Sequence, residues 1–151
     1  MHFGGKITTY RKLAEHALEK LADWFPDMKE PWTERALLPG GDLGGLSPQA
    51  LSERLQGDYP ALPHDLLQSL VHRHGSAARA VLGNAQSITD LGAHFGGQLF
   101  AREVDYFVAH EWACSADDVL WRRSKMGLHI NESQKQALTS YMTNGAASIV
   151  R

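Results

Sequence analysis

The apolar residues of this chain recur with the period of an α-helix, and this pattern constrains the fold more than any other feature of the sequence. Between Thr8 and Phe25 they lie three and four positions apart, so that they share one face of a helix. The stripe consists of Tyr10, Leu13, Ala14, Ala17, Leu18, Leu21 and Phe25. Pro26 ends the pattern, because its ring lacks an N–H donor and clashes with the preceding turn. The pattern predicts one helix of about four turns from Thr8 to Phe25.

Further helix signals follow a glycine-rich loop over residues 31–46. Ser47 and Pro48 predict a helix to about Gln56, with serine as N-cap and proline in the first turn. Four more helices are predicted: from Pro63 to a C-terminal Gly75, from a capping Ser76 to Gly83, over Phe100–Trp112, and from a Ser115–Asp118 capping box to Gly127. A last helix is predicted from Asn131 to about Ile149. Because no segment alternates with period two, we predict an all-α, irregular bundle of six to eight short helices.

Composition excludes several classes of protein. The chain has 151 residues, with 15 Lys and Arg against 17 Asp and Glu, and its net charge of −2 gives no basis for broad nucleic-acid binding. One cysteine cannot form an internal disulfide. No apolar run approaches the length of a membrane helix, and the first residues do not resemble a signal peptide. These features predict a soluble intracellular domain.

Motifs that suggest metal binding or nucleophilic catalysis lack an essential residue. His110-Glu111 begins like the zinc-protease motif H-E-x-x-H, but Cys114 stands where the second histidine is needed. His72 and His74 are two positions apart and therefore point to different faces of a helix. We predict no metal site at either pair. Cys114 has no companion cysteine and no evident base, which favours a buried, inert thiol over a nucleophile.

Arg122-Arg123-Ser124-Lys125 forms a basic cluster in a predicted helix. Asp117, Asp118 and Glu111 lie close enough along the chain to pair with these cations. Because the rest of the chain supplies no basic stripe, we favour a structural ion-pair face over a phosphate or nucleic-acid site.

The start of the chain carries the most specific chemical pattern. Gly4, Gly5, Lys6, Ile7 and Thr8 lead directly into the first predicted helix. The N–H groups of a first helical turn lack intrahelical partners and carry partial positive charge, so they attract anions. The glycines allow close approach to the backbone, and the lysine adds a full positive charge. The pattern is compatible with an anion site here and also with an ordinary helix start beside a solvated lysine.

Residues 4–15, GGKITTYRKLAE, resemble the segment near the end of the flavin domain in FAD-dependent glycerol-3-phosphate dehydrogenases. Further matches follow in that family's order at residues 38–41, 59–60, 74–76, 90–92 and 103–106. The most specific are HEWA at residues 110–113 and DDVLWRRSKMGL at residues 117–128. Ser124 stands where the family usually carries threonine, which preserves the hydroxyl. The resemblance extends from about Phe3 to Ile149.

This resemblance implies that the chain is the C-terminal portion of a longer enzyme. Residues 1–36 would be the C-terminal segment of the FAD-binding domain, and residues 37–151 the helical C-terminal cap domain. The dinucleotide fingerprint G-x-G-x-x-G of the flavin domain does not occur here, so we expect the chain alone to be inactive and to lack FAD. The rest of the same polypeptide would be its main partner.

The resemblance implies that the parent enzyme oxidises sn-glycerol 3-phosphate to dihydroxyacetone phosphate. Hydride would pass to FAD, and electrons would pass on to a quinone of the bacterial membrane. Gly4, Gly5, Lys6, Ile7 and Thr8 would contact the flavin, and Lys6 would also bind the substrate. The sequence assigns no proton-accepting base. The enzyme would be cytoplasmic or peripheral on the inner face of the membrane, with no nucleic-acid partner. The choice between quinone and oxygen as acceptor stays open, and so does formation of a homo-oligomer.

A second hypothesis is a self-standing helical domain that binds a protein and no cofactor. Trp112 and Trp121 would then form the binding surface. The Gly-Gly-Lys segment distinguishes the two hypotheses, because an interaction module has no need of it.

Overall fold

Helices form the regular structure of the part of the chain that is described, which is residues 6–149, with side chains over residues 6–145. The computed structural model contains six α-helices in this part: α1 (Tyr10–Glu19), α2 (Pro48–Asp58), α3 (His64–His74), α4 (Ala78–Leu82), α5 (Ala101–His110) and α6 (Glu132–Ile149). Short 3-10 turns and one π-helical segment, Asp118–Arg123, join them. One isolated bridge between His94 and Phe100 is the extent of β pairing over residues 6–149. The all-α prediction is confirmed.

The chain divides between Leu38 and Pro39 into two units, here called the N-terminal unit and the C-terminal unit. In the N-terminal unit, the prediction of one continuous helix from Thr8 to Phe25 is wrong. Ile7–Thr9 and Ala22–Trp24 are 3-10 turns, and the α-helix lies between them. The helix ends before the proline because the chain tightens into successive i to i+3 bonds, from the N–H of Leu21 to Leu18 at 2.9 Å and from that of Trp24 to Leu21 at 3.0 Å.

The apolar stripe predicted between Thr8 and Phe25 lies mostly exposed. Tyr10 is 64% exposed, Leu18 50% and Phe25 56%. The buried residue of α1 is instead Glu15, on the opposite side of the helix. We call the exposed large apolar side chains between residues 7 and 25 the apolar face; they are Ile7, Tyr10, Leu13, Leu18, Leu21, Trp24 and Phe25.

The C-terminal unit contains two groups of buried apolar side chains. The first joins α2, α3 and α4 through residues such as Leu55, Leu67 and Leu82. As predicted, the hydroxyl of Ser47 caps α2 by accepting the N–H of Ala50 at 3.1 Å. Gly75 ends α3 as predicted, with a positive φ of 57°. Ser76 does not cap the next helix; a 3-10 turn at Gly75–Ala77 leads directly into α4.

The second group joins α5, the π-helical segment and α6 through residues such as Phe107, Leu120 and Leu138. The predicted cap of α6 is confirmed: the N–H of Gln134 donates to Oδ1 of Asn131 at 3.0 Å, and that of Asn131 donates to Oε1 of Gln134 at 2.9 Å. The Ser115–Asp118 capping box is also present, with bonds of 3.0 and 3.2 Å.

Two predicted helix ends in this region are wrong. α5 stops at His110 because the N–H groups of Glu111 and Ala113 both donate to the carbonyl of Phe107, at 3.0 and 3.1 Å, while Trp112 adopts a φ of 55°. This is the pattern of a Schellman ending, with tryptophan in the position that glycine usually takes. The next helix does not close at Gly127, since it ends at Arg123.

Ser124 explains that earlier ending. Both its N–H, at 3.0 Å, and its hydroxyl, at 2.6 Å, donate to the carbonyl of Val119, five residues earlier, which gives the π-helical register. Lys125 then turns the chain with a left-handed φ of 60°.

Candidate functional site

The predicted flavin and substrate segment lies at the start of the N-terminal unit. Gly4 and Gly5 lie outside the described residues. Lys6 precedes the 3-10 turn in an extended conformation and is exposed, and Ile7 is 83% exposed. The carbonyl of Lys6 accepts both the N–H and the hydroxyl of Thr9, at 2.9 and 2.8 Å, which fixes the turn. Lys6, Ile7 and Thr8 therefore share one exposed turn.

The backbone of this turn offers hydrogen-bond donors. Within residues 6–149, the N–H groups of Ile7 and Thr8 donate to no acceptor. Donors of this kind at the start of a helix stabilise negative charge on a group placed against them. The side chain of Lys6 begins at the same turn, so an anion bound there would meet both the dipole and a full charge.

Glu15 ties α1 to the segment that follows it in the N-terminal unit. Its carboxylate accepts the hydroxyl of Thr33 and the guanidinium of Arg11, the latter at 2.9 Å, and lies 3.4 Å from the ammonium of Lys12. The hydrogen bond from Thr33, followed by that from Lys12 and the charges of both cations, outweighs burial and lowers the pKa of Glu15. These polar contacts connect α1 to the segment at Thr33, and the apolar face takes no part in them.

A buried ionic cluster joins α3 to α5 in the C-terminal unit, and sequence analysis missed it. Nε and Nη2 of Arg73 donate to the two carboxylate oxygens of Glu103 at 2.7 and 2.9 Å. Nε2 of His74 lies 2.7 Å from Oε1 of the same carboxylate. The side chains of His74 and Glu103 are 1% and 2% exposed, and that of Arg73 is 13% exposed.

The cluster keeps its carboxylate charged. Burial alone would raise the pKa of Glu103, but the hydrogen bonds from His74 and Arg73 and their charges outweigh burial and lower it. One sequence feature could have revealed the cluster: Glu103 lies three residues after Phe100 and four before Phe107, on the apolar side of α5. A carboxylate placed there needs a buried cation as a partner.

The basic cluster at residues 122–125 forms the predicted ion pairs in part. Arg122 donates to Asp118 at 2.8 Å, and Nε of Arg123 donates to the carbonyl of Glu111 at 2.8 Å and lies 3.8 Å from its carboxylate. The ammonium of Lys125 instead donates to the carbonyl of Trp121.

Cys114 is exposed, so the prediction of a buried thiol is wrong; the Schellman ending of α5 places it in a surface loop. Among the residues described, the histidine, cysteine and acidic side chains form no group of three that could hold a metal ion. Within the same residues, every helix is too short or too polar to cross a membrane.

Comparison with known proteins gives a consistent set of relatives. Residues 31–144 match the family described as the C-terminal domain of alpha-glycerophosphate oxidase. Over 140 residues the chain is 42% identical to the aerobic glycerol-3-phosphate dehydrogenase of Escherichia coli, and this covers 93% of the chain but 28% of that protein. It is 46% identical over 140 residues to the glycerol-3-phosphate dehydrogenase of Pseudomonas aeruginosa, covering 93% of the chain and 27% of that protein.

A third relative acts on a different phosphorylated polyol. The chain is 39% identical over 142 residues to the D-erythritol 1-phosphate dehydrogenase of Brucella abortus, covering 94% of the chain and 28% of that protein. The chain thus spans less than a third of the length of these relatives, and the similarity includes residues of both units.

Proposed function

Because this chain belongs to the family of the C-terminal domain of alpha-glycerophosphate oxidase, we propose that it is the C-terminal part of a longer FAD-dependent enzyme that oxidises sn-glycerol 3-phosphate to dihydroxyacetone phosphate. The observation that carries this proposal is the extent of the similarity. It covers 93% of the chain at 42% identity, yet only 28% of a dehydrogenase whose remaining length would supply the other domains.

Residues 1–36 would then complete the flavin domain, and residues 37–151 would form the helical cap. The exposure of the apolar face supports this division. Within the described part of the N-terminal unit, the one buried residue is Glu15, so α1 has no apolar core of its own. Seven exposed large apolar side chains within 19 consecutive residues are typical of a segment that contacts another domain or protein. We assign that contact to the preceding part of the same polypeptide.

The turn at Lys6 fits one edge of a flavin. The pyrimidine edge presents oxygen and nitrogen acceptors, and the N–H groups of Ile7 and Thr8 are matching donors with no other partner in residues 6–149. Gly4 and Gly5 would let the ring approach the backbone. Bound FAD would supply the acceptor for the hydride of the secondary alcohol.

Lys6 would face the substrate. Its ammonium would hold the phosphate or the alcohol oxygen through a charge-assisted hydrogen bond. The hydroxyl proton requires a general base, and we place that base outside this chain, in the preceding domains. A quinone would take the electrons from the flavin, which would locate the enzyme on the cytoplasmic face of the bacterial membrane.

Steady-state kinetics of the full-length polypeptide test this function. With a short-chain quinone as acceptor, we expect turnover of sn-glycerol 3-phosphate with a kcat/KM at least tenfold above that for D-erythritol 1-phosphate. The 151-residue chain alone serves as the matched control and should be inactive and colourless. A higher kcat/KM for D-erythritol 1-phosphate would show that the proposed substrate is wrong. Absence of turnover with both compounds would refute the proposed function.

A further inference from the structure

A cavity in the C-terminal unit is lined by cations and by no carboxylate among the residues described. Its volume is about 430 Å³, and it lies between α3, the loop before α5 and the turn after the π-helical segment. The lining residues are Ser69, His72, Arg73, Gly97, Gln98, Ser124, Lys125, Met126 and His129. Glu103 compensates the charge of Arg73 from the buried side, so Lys125 supplies the net positive charge of the cavity, beside the polar side chains of two histidines.

Arg73 keeps part of its guanidinium free for a ligand. Glu103 occupies Nε and Nη2 from the buried side, and the carbonyl of Gln98 lies 3.4 Å from Nη2. Nη1 makes one contact within residues 6–149, a weak one at 4.0 Å to the sulfur of Met126. The buried carboxylate therefore orients Arg73 and leaves the Nη1 edge with unused donor capacity.

Lys125 has a backbone conformation that is unfavourable for lysine. Its φ is 60°, in the left-handed region where residues other than glycine, asparagine and aspartate are uncommon. Ser124 maintains this turn, since its hydroxyl accepts the N–H of Met126 at 3.2 Å and donates to Val119 at 2.6 Å. Strained residues of this kind occur preferentially at binding sites.

The loop before α5 adds backbone donors. Gly97 has a φ of 55°, and the N–H groups of Gly97 and Gln98 donate to no acceptor within residues 6–149. The positive φ favours glycine at this position, where a Cβ would lie 2.4 Å from the flexible end of the Met126 side chain. Successive N–H groups beside a left-handed residue are a known arrangement for binding anions.

We propose that this cavity binds a small phosphate anion, either inorganic phosphate or a phosphate monoester. Nη1 of Arg73 would contact its oxygens, together with the ammonium of Lys125, which has two donors left beside its hydrogen bond to the carbonyl of Trp121. The amides of Gly97 and Gln98 would complete the site. The site is independent of the reaction proposed above, since none of its residues belongs to the Lys6 turn. For so small a ligand, a dissociation constant on the order of 1 mM is expected.

Titration of the 151-residue chain with inorganic phosphate, at ionic strength held constant with sodium chloride, tests this site. Amide NMR spectra should show saturable shifts at Gly97, Gln98 and Lys125. Lys125→Gly should weaken binding about tenfold or more. It should not unfold the chain, because glycine accepts a left-handed φ. Arg54→Gln, which removes an exposed cation outside the cavity, should bind like the wild type.

Saturable amide shifts at the cavity that are lost in Lys125→Gly and kept in Arg54→Gln would establish the phosphate site. Shifts that do not saturate, that appear elsewhere, or that persist in folded Lys125→Gly overturn the proposal. Failure here would leave the flavin assay of the full-length enzyme unaffected.

Discussion

Replacing Glu103 by glutamine should show how strongly the buried ionic cluster holds α3 against α5. Arg73 and His74 would lose the carboxylate that they share, while their side chains stay 13% and 1% exposed. Breaking a buried pair by removing one partner costs about 3 to 5 kcal/mol. We expect the lower end, about 3 kcal/mol, because glutamine keeps one acceptor oxygen and Arg73 retains some contact with water. For a urea m-value of about 1.5 to 3 kcal/mol/M, the unfolding midpoint at pH 7 should fall by about 1 to 2 M.

The loss should depend on pH in a defined direction. The pKa of Glu103 is lowered in the folded state, so its contribution to the free energy of unfolding is complete above its ordinary value of 4.5 and declines as the pH falls towards the folded pKa. The gap between wild type and Glu103→Gln should therefore shrink below about pH 4.5.

Urea unfolding followed by far-UV circular dichroism provides the measurement, and Glu53→Gln is the control. Glu53 is exposed on α2 and accepts one bond from Gln49 at 3.1 Å, so this change should alter the free energy of unfolding by no more than about 0.5 kcal/mol. If Glu103→Gln lowers the free energy of unfolding by as little as the control does, Glu103 does not anchor α3 to α5. If the difference in free energy of unfolding between wild type and Glu103→Gln stays constant in acid, the contribution of Glu103 does not depend on its charge.

Three further predictions concern separate parts of the chain. Tyr141 donates to the carboxylate of Asp105 at 2.9 Å, so Tyr141→Phe should lower the free energy of unfolding by about 1 to 2 kcal/mol at pH 7. Burial and Asp105 raise the pKa of Tyr141 to about 12, so this contribution should be complete below about pH 10 and decline as the pH rises from there through about 12. A phenol that titrates by ultraviolet absorbance at its ordinary pKa would contradict this. Gly75→Ala should destabilise the chain by at least about 2 kcal/mol, because φ is 57° and a Cβ would lie 2.0 Å from the carbonyl oxygen of Gly40; an unchanged melting temperature would exclude this close approach. In the full-length enzyme, Lys6→Ala should reduce kcat/KM about ten- to hundredfold and leave the flavin content unchanged, whereas activity within twofold of wild type would make Lys6 a solvated residue.

Three helix starts with a side-chain cap were predictable from the sequence, whereas the start at Ser76 and two helix ends were not. The caps at Ser47, Ser115 and Asn131 each satisfy an N–H group with a neighbouring side chain, so a few adjacent residues determine them. The ending at Trp112 depends on a bond that spans six residues and on the φ of 55° that tryptophan seldom adopts. The ending at Ser124 depends on a bond that spans five residues and on the left-handed φ of the following Lys125. Such conformations are imposed by the packing of α5 and the π-helical segment, which local patterns do not record.

Several of the resembling motifs in the C-terminal unit make contacts that hold the fold together. Gly40 and Gly75 belong to two separate motifs, and their backbones meet, with the N–H of Ser76 donating to the carbonyl of Gly40 at 2.9 Å. The hydroxyl of Tyr59 donates to the carbonyl of Gly83 at 2.8 Å, and Glu103 anchors the buried cluster. These contacts join residues that are distant in sequence. The resemblance therefore identified the motif residues, but the sequence did not predict which residues they would contact.

The Lys6 turn is a different case. The sequence predicts a site at these residues because several chemical requirements coincide within one short segment, and their role stays a prediction. The structure shows Lys6, Ile7 and Thr8 exposed, with α1 shorter than its pattern predicts and its apolar face uncovered. Under the proposed function the groups that face this turn belong to preceding domains, and periodicity within the chain carries no information about them.

Anaerobic titration of the full-length polypeptide with sn-glycerol 3-phosphate tests the central claim most directly. Without an electron acceptor, each substrate molecule can reduce one bound flavin, so the visible absorbance reports the first chemical step alone. We predict a yellow protein with one FAD per chain, bleached by about one equivalent of substrate, while the 151-residue chain stays colourless. A full-length protein that binds no flavin, or whose bound flavin stays oxidised with excess substrate, would contradict the assignment of this chain to such an enzyme.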